Sequence, residues 1–341
     1  MIGNRKLIAI LGPTGVGKSL AAARVAEALG GEIISADSRQ IYRGMDIATA
    51  KPGPEVLARV PHHLLDVVEP DEIFSAGRFS EMARQVILRL YEKGRTPVVV
   101  GGTGLYIRAL LYGLWQGPQA QWDLRNSLLE EERTLGPGHL HQKLVELDTE
   151  SALRIHPRDL AKTIRALEVV LLTGIPLTQH HEEHRNRVKR VTSGQRPVAS
   201  ELSETTGIWQ LDRGHCVVIG LRRDREDLYQ RINHRVEEMV SLGLVQEVER
   251  LLRLGYHEDL PSMRGLGYRQ MVGYLKKQHS LQETVQLIQR DTRRFAKRQM
   301  TWFRKEPHVR WIDLAIRDEA HEIAEKVLAK VASDQMPVTR L

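Results

Sequence analysis

The chain has 341 residues, of which 41% are hydrophobic and 27% charged, with a formal net charge of +7. That length exceeds one small core and suits two domains, or one domain with a large insertion. No apolar run approaches the roughly 20 residues of a bilayer-spanning helix, and a single cysteine, Cys216, excludes an intrachain disulfide and a multi-cysteine zinc site.

In chain order, Leu7 to Leu11 reads as a short buried strand, Gly12 to Ser19 as a loop, and Leu20 to Leu29 as an alanine-rich helix closed by Gly30-Gly31. The run from Met1 leads straight into the glycine-rich loop, so it is expected to be a first strand and not a signal peptide. Glu32 to Ala36 is a second strand closing at Asp37, and His63 to Val67 a third. Phe79 to Glu92 is an amphipathic helix stopped by Gly94, and Thr96 to Val100 a β-branched strand followed by Gly101-Gly102-Thr103-Gly104. Strands alternating with helices predict βαβ units and a parallel sheet.

After Gly113 the pattern changes. Leu124 to Thr173 carries helical periods without a convincing strand. Ile175 to Arg213 is polar and weakly periodic, which predicts a loosely packed segment. Its run His180-His181-Glu182-Glu183-His184 reads as solvated polar surface rather than a metal site. Strand character returns at Cys216 to Leu221, where Cys216 is expected to be a small buried hydrophobe. Long helices follow at Arg225 to Leu254 and Leu281 to Arg304, with a last strand at Val309 to Asp313. The fold class is α/β, a P-loop-type parallel sheet flanked by helices, with an all-helical insertion domain. The core is expected at 1–117 and 214–341 and the insertion at 118–213.

Gly12-Pro13-Thr14-Gly15-Val16-Gly17-Lys18-Ser19 fits G-x-x-x-x-G-K-[ST] in full, with an apolar strand before it and a helix after it. Glycines let backbone N–H groups turn inward around phosphate oxygens, and the helix N-terminus adds partial positive charge. Lys18 neutralises terminal phosphates, and Ser19 is a candidate Mg²⁺ ligand. Such a loop binds a diphosphate or triphosphate and does not single out ATP, although an ATPase or small-molecule kinase is the default reading. Against it, the strand at Pro97 to Val100 ends without the carboxylate that usually holds magnesium, with Asp66 as a substitute.

Ligands of an open parallel sheet bind beyond the carboxyl ends of its strands. Lys18, Ser19, Asp37, Thr103 and the group Arg222, Arg223 and Arg225 all follow strands and so fall there. From spacing alone, Asp37 is a helix N-cap, a magnesium ligand or a general base. Arg290, Arg293, Arg294, Lys297, Arg298, Arg304 and Lys305 share a helical stretch with Phe295, Trp302 and Phe303. By composition this is either an RNA-contacting surface or a helix with an aromatic core face and a solvated basic face.

Taken together, these motifs resemble the tRNA dimethylallyltransferase family. The phosphate loop, the segment from Asp37-Ser38-Arg39-Gln40-Ile41-Tyr42 through Thr49-Ala50-Lys51-Pro52, and Gly101-Gly102-Thr103-Gly104-Leu105-Tyr106 are similar to three family signatures in order. Arg165-Ala166-Leu167-Glu168-Val169, Arg231-Ile232 with Arg235-Val236 and Met239, and Arg294 to Gln299 with Thr301 to Arg304 continue the match. Two places depart: His156-Pro157-Arg158-Asp159 stands where the family has His-Pro-Asn-Asp, with Lys162 replacing an arginine, and the stretch from His180 to His215 is longer than expected. One cysteine leaves no room for the zinc finger of eukaryotic members, so the resemblance is to the bacterial type.

The resemblance implies that the phosphate loop holds dimethylallyl diphosphate, and that the acceptor is N6 of the adenosine 3′ of the tRNA anticodon. Asp37 is then the base that takes the N6 proton. Lys18, Mg²⁺ near Ser19, Thr103 and Arg225 stabilise the departing diphosphate. Within its arginine group Arg225 is selected by the family match, while Arg222 and Arg223 are expected to be solvated. Asp37, Ser38, Arg39, Gln40 and Thr103 contact the flipped base, Gln40 by bidentate geometry to the adenine edge. Arg294, Lys297 and Arg298 grip tRNA from one side, and Ala161, Lys162, Thr163, Ile164 and Arg165, with Arg125, from the other. A monomer in a reducing cytoplasm is the natural expectation.

Overall fold

The computed structural model describes residues 6–115, 117–192, 216–306 and 308–333. Its elements in order are β1 (Leu7–Leu11), α1 (Lys18–Ala28), β2 (Gly31–Ser35), α2 (Pro54–Arg59), β3 (His62–His63), α3 (Ala76–Glu92), β4 (Thr96–Gly101) and α4 (Gly104–Tyr112). Five helices follow: α5 (Trp122–Leu135), α6 (His139–Leu147), α7 (Thr149–Arg154), α8 (Leu160–Thr173) and α9 (Leu177–Thr192). The chain then returns through β5 (Cys216–Arg223), α10 (Arg225–Ser241), α11 (Leu244–Arg253), α12 (Tyr268–Leu275), α13 (Leu281–Phe303), β6 (Arg310–Leu314) and α14 (Ala320–Ala332). It divides into two compact units, Met1–Leu111 with Leu211–Leu341, and Tyr112–Gln210. No helix among the described residues is long and apolar enough to cross a membrane.

In the first unit the strands form one sheet in the order β3-β2-β4-β1-β5-β6, and every pairing is parallel. β1 lies between β4 and β5, with Ile8 opposite both Val98 and Val217. All five of its residues are buried, because a central parallel strand is covered on both faces and has no polar side to offer. The alanines and Val25 of α1 pack on it together with Ile323, Ala324 and Val327 of α14. Since all six strands run one way, the loops after β1, β2, β4 and β5 emerge at one edge.

The third strand is shorter than its apolar run predicts. Leu64 and Asp66 have φ of 62° and 51°, which break the extended conformation, and pairing resumes only at the bridge between Tyr42 and Val68. The single helix expected over Arg225 to Leu254 is two helices, split where Gly243 takes φ of 99°. Cys216 opens β5 half-buried instead of fully buried.

The second unit contains only helices among its described residues, packed on Leu128, Leu140, Leu144, Ile164 and Leu167. The loose segment predicted from Ile175 is a regular helix, α9, as far as Thr192; the remainder of that expectation, 193–215, lies outside the described residues. At the centre the Glu168 carboxylate is fully buried. It accepts hydrogen bonds from the Gln121 N–H (2.8 Å), Arg125 Nε (2.8 Å) and Nη2 (2.7 Å), and Arg165 Nη1 (2.5 Å). Burial alone would raise its pKa, but these bonds hold it at about 2. Removing the carboxylate leaves two arginines facing each other in a partly dry interior, and losing one partner of a buried pair costs about 3–5 kcal/mol. Glu168→Ala is therefore expected to lower unfolding free energy by about 3 kcal/mol. The sign in pH follows from the depressed pKa: the contribution is complete above the ordinary glutamate value and is lost as pH falls toward 2. Denaturant melts of both proteins between pH 3 and 7 check this, with the difference shrinking at the acid end.

Candidate active site

A cavity of about 830 Å³ opens at the carboxyl edge of the sheet. Its floor is the phosphate loop, where Gly17 takes a left-handed conformation (φ 102°) and starts α1. Lys18 Nζ donates to the Pro13 carbonyl at 2.7 Å, which folds the lysine back across the loop. Burial pulls the Lys18 pKa down to about 7; the Asp37 carboxylate works against that, and the nearby Arg235 adds to it. Ser19 lines the cavity beside Lys18.

A second wall comes from the turns after β2 and β4. Asp37 Oδ1 accepts from the Arg39 N–H at 2.8 Å, so its carboxylate caps a turn and not a helix. Thr103 Oγ1 accepts from the Ser38 N–H at 2.9 Å and donates to Ser38 Oγ at 3.2 Å, tying the Asp37 turn to the end of β4. Arg39 Nη1 donates to the Pro261 carbonyl at 2.7 Å. Gln40 is committed within the fold. Its Nε2 donates to the carbonyls of Thr49 (3.2 Å) and Ala50 (3.0 Å), and its Oε1 accepts from Ser35 Oγ (2.9 Å). That amide bonds at both ends and ties β2 to the 49–50 backbone, and Gln40 also lines the cavity. Asp66, the substitute carboxylate, pairs with Lys51 at 2.5 Å and is not part of the cavity lining.

The third wall is α10 with α13. Arg225 starts α10 with its guanidinium 5.2 Å from the Tyr229 ring centroid, outside the cavity lining. Arg231 and Arg235, farther along the same helix, line the cavity instead. Arg231 Nε donates to the Gly15 carbonyl at 3.4 Å, and Arg235 Nη1 to Thr14 Oγ1 at 3.5 Å. Burial weighs against the Arg235 charge, while Asp37 and Glu238 favour it. The i, i+4 spacing of these two arginines was the available sequence signal. Arg223, expected to be solvated, is fully buried: it donates to the carbonyls of Val16 (3.2 Å) and Ala315 (2.8 Å) and pairs with Asp227 (2.9 Å), bracing the loop from behind. Arg222 pairs with Asp313 near the surface.

On α13, Phe295, Arg298 and Gln299 line the cavity. Arg298 lies 5.8 Å from the Phe295 ring centroid, and Arg294, Lys297 and Arg298 are exposed. Phe303 is buried, so the helix has both an aromatic core side and an exposed basic side. In the helical unit, Ala161 and Lys162 are exposed, with Lys162 paired to Asp159. Thr163 and Ile164 are buried in that unit's core, and Arg125 and Arg165 are held by Glu168. Thr163 and Ile164 thus serve that unit's core, while Arg125 and Arg165 keep part of their side chains exposed.

Magnesium prefers hard oxygen donors and usually keeps several waters plus substrate phosphates beside one or two protein oxygens. Ser19 and Asp37 line the same cavity and fit that pattern. No cluster of three or more His, Cys, Asp or Glu side chains that would hold a metal alone is found among the described residues. Chemically, the cavity offers a cluster of cations, Lys18, Arg231, Arg235 and Arg298 among them, with the carboxylates of Asp37 and Glu238.

With a pKa near 7, the Lys18 amine is mostly neutral at pH 8. A bound diphosphate supplies the missing counter-charge and raises that pKa, so binding is expected to take up a proton near pH 8. Calorimetry of pyrophosphate binding in buffers of different ionisation enthalpy measures the proton count; Lys18→Met abolishes the uptake.

The description "IPP transferase" belongs to the family model that matches residues 40–306. A tRNA dimethylallyltransferase of Geobacter sulfurreducens is 46% identical over 90% of this chain and 92% of its own. One from Syntrophus aciditrophicus, tRNA dimethylallyltransferase 2, is 47% identical over 95% and 96%. The crystal structure of a tRNA isopentenylpyrophosphate transferase from Bacillus halodurans is 37% identical, covers 97% of this chain and 96% of its own, and superposes with a TM-score of 0.66. With its phosphate loop, its Asp37 turn and its flanking arginines around one cavity, the chain belongs to the IPP transferase family, the tRNA dimethylallyltransferases, and is of the bacterial type.

Proposed function

We propose that this cavity transfers a dimethylallyl group from dimethylallyl diphosphate to N6 of the adenosine 3′ of the anticodon in tRNA, releasing diphosphate. The observation that carries the reading is that Asp37 lines the same cavity as the phosphate loop and faces Lys18 and Arg235 closely enough to bias their charge. The diphosphate rests on residues 12–19, with Lys18, Arg231 and Arg235 opposite its growing charge. The allylic C–O bond breaks as the N6–C bond forms, and the N6 proton passes to Asp37. The exocyclic amine is a weak nucleophile, since its lone pair is delocalised into the ring, and a positioned base contributes about 10²- to 10⁴-fold. Thr103 holds the Asp37 turn in place through Ser38. Mg²⁺, held by the substrate phosphates with Ser19, would neutralise the leaving group.

The target base must leave its stack to reach a buried site. Phe295 with Arg298 offers a face and a cation at the cavity, and Arg294, Lys297 and Arg298 meet the phosphate backbone. Lys162 with Ala161 presents the exposed contact of the helical unit. In this reading the enzyme is a cytoplasmic monomer.

Purified protein, Mg²⁺, an unmodified anticodon stem-loop and radiolabelled dimethylallyl diphosphate test the activity. Label on the RNA is expected; unlabelled RNA, or phosphorylation from ATP in its place, refutes it. Asp37→Ala is expected to cut turnover by at least about 10² with tRNA affinity little changed. Arg235→Ala is expected to cost a similar factor, while Arg225→Ala stays within about threefold of the parent. Arg298→Ala is expected to weaken tRNA binding and reduce the slope of log affinity against log salt by about one.

A further inference from the structure

Gln299 is fixed between two parts of the site that are far apart in sequence. Its Oε1 accepts from the Thr14 N–H at 2.9 Å, and its Nε2 donates to the Gly102 carbonyl at 2.9 Å. The side chain is nearly buried, at 8% exposure, so neither bond is shared with bulk water. Thr14 belongs to the phosphate loop, and its hydroxyl is approached by Arg235. Gly102 precedes Thr103, whose hydroxyl holds the Ser38 N–H and through it the Asp37 turn. One carboxamide therefore spans from the phosphate loop to the segment that carries the base. A Cβ at 102 would lie 2.4 Å from Gln299 Nε2, so the carboxamide would have to move to admit it.

The helix that bears Gln299 is itself braced. Arg293 Nη1 donates to Asn233 Oδ1 at 2.5 Å and Gln289 Nε2 to the Asn233 carbonyl at 3.2 Å, which locks α13 onto α10, the helix of Arg231 and Arg235. The amide is thus presented from a rigid element and not from a loop.

We propose that Gln299 is a positioning residue that sets the separation between the diphosphate cradle and the Asp37–Thr103 pair. It does not touch the reacting atoms. The inference rests on the prenyl-transfer reading for its kinetic consequence, though not for its effect on anion binding. Misplacing reacting groups by about 1 Å costs about 10²-fold, so a residue of this kind acts on kcat and on diphosphate affinity while leaving RNA affinity alone.

The decisive variant is Gln299→Met, which keeps the side-chain volume and removes both hydrogen bonds. Expected are a fall in kcat of about 10- to 100-fold, weaker binding of inorganic pyrophosphate, and a KM for tRNA within about threefold of the parent. Gly102→Ala drives the same carboxamide away without altering α13, so it reproduces these losses, and the double variant is little worse than either single one. Should the methionine variant not fold, the alanine variant carries the same comparison by itself. A Gln299→Met protein with parental kcat and pyrophosphate affinity, or single losses that multiply in full, would overturn the proposal. A parent protein that binds pyrophosphate but transfers no label would instead sink the prenyl-transfer reading, leaving the pyrophosphate comparison to decide on Gln299.

Discussion

Positive charge held partly out of water with too little negative charge beside it is the constraint around which the site is organised. Lys18, Arg231 and Arg235 converge on the phosphate loop, and Asp37 is the carboxylate that faces Lys18 and Arg235 from across the cavity. Burial works against both Lys18 and Arg235, and the carboxylates of Asp37 and Glu238 do not restore the balance. A ligand with several phosphate oxygens does, beside a loop that leads into a helix N-terminus. The energy spent on gathering these cations during folding is returned when a polyphosphate enters, which is the meaning of a preorganised site.

The parallel sheet is what makes that convergence possible. With β1 between β4 and β5, the phosphate loop is flanked by the loops that follow its neighbours. Partly or fully buried polar contacts then fix each loop to the next: Thr103 to Ser38, Gln299 to Thr14 and Gly102, and Arg223 to Val16. Loop conformation is therefore set by long-range hydrogen bonds rather than by local turn preference, and each such bond is effective because its surroundings are largely dry. The helical unit is stabilised by a different device, a buried carboxylate with two arginines. There the arginines serve packing, although the same residue type serves ligand binding on α10.

Sequence reasoning reached the parts of this design that are local. β1 and β4 were legible because strands covered on both faces are continuous apolar runs. The phosphate loop, Asp37 and Thr103 were legible because in a parallel sheet a residue just after a strand lies at the ligand edge whatever the rest of the chain does. The choice among arginines was not, because it depends on which part of α10 passes the loop. Arg225 and Arg235 are ten residues apart, about 15 Å along a helix, and nothing in the spacing says which one meets the phosphates. The bonds of Gln40 were not legible either, because its partners at 49 and 50 are backbone carbonyls, which have no residue signature. Gln299 sat inside a basic helix, and its neighbours Lys297 and Arg298 drew attention to the exposed side of the helix instead of the side that faces Gly102. In the helical unit the pairing of Arg125 with Glu168 was not legible, because the two are far apart in sequence.

A crystal structure with a non-hydrolysable dimethylallyl diphosphate analogue and Mg²⁺ bears most directly on the claim that one cavity brings carboxylate and diphosphate together. The account predicts phosphate oxygens within about 3 Å of Lys18 Nζ, Arg235 and the loop N–H groups, with the allylic carbon directed toward Asp37. A diphosphate bound away from residues 14–19, or an allylic carbon on the far side of the loop from Asp37, would contradict it.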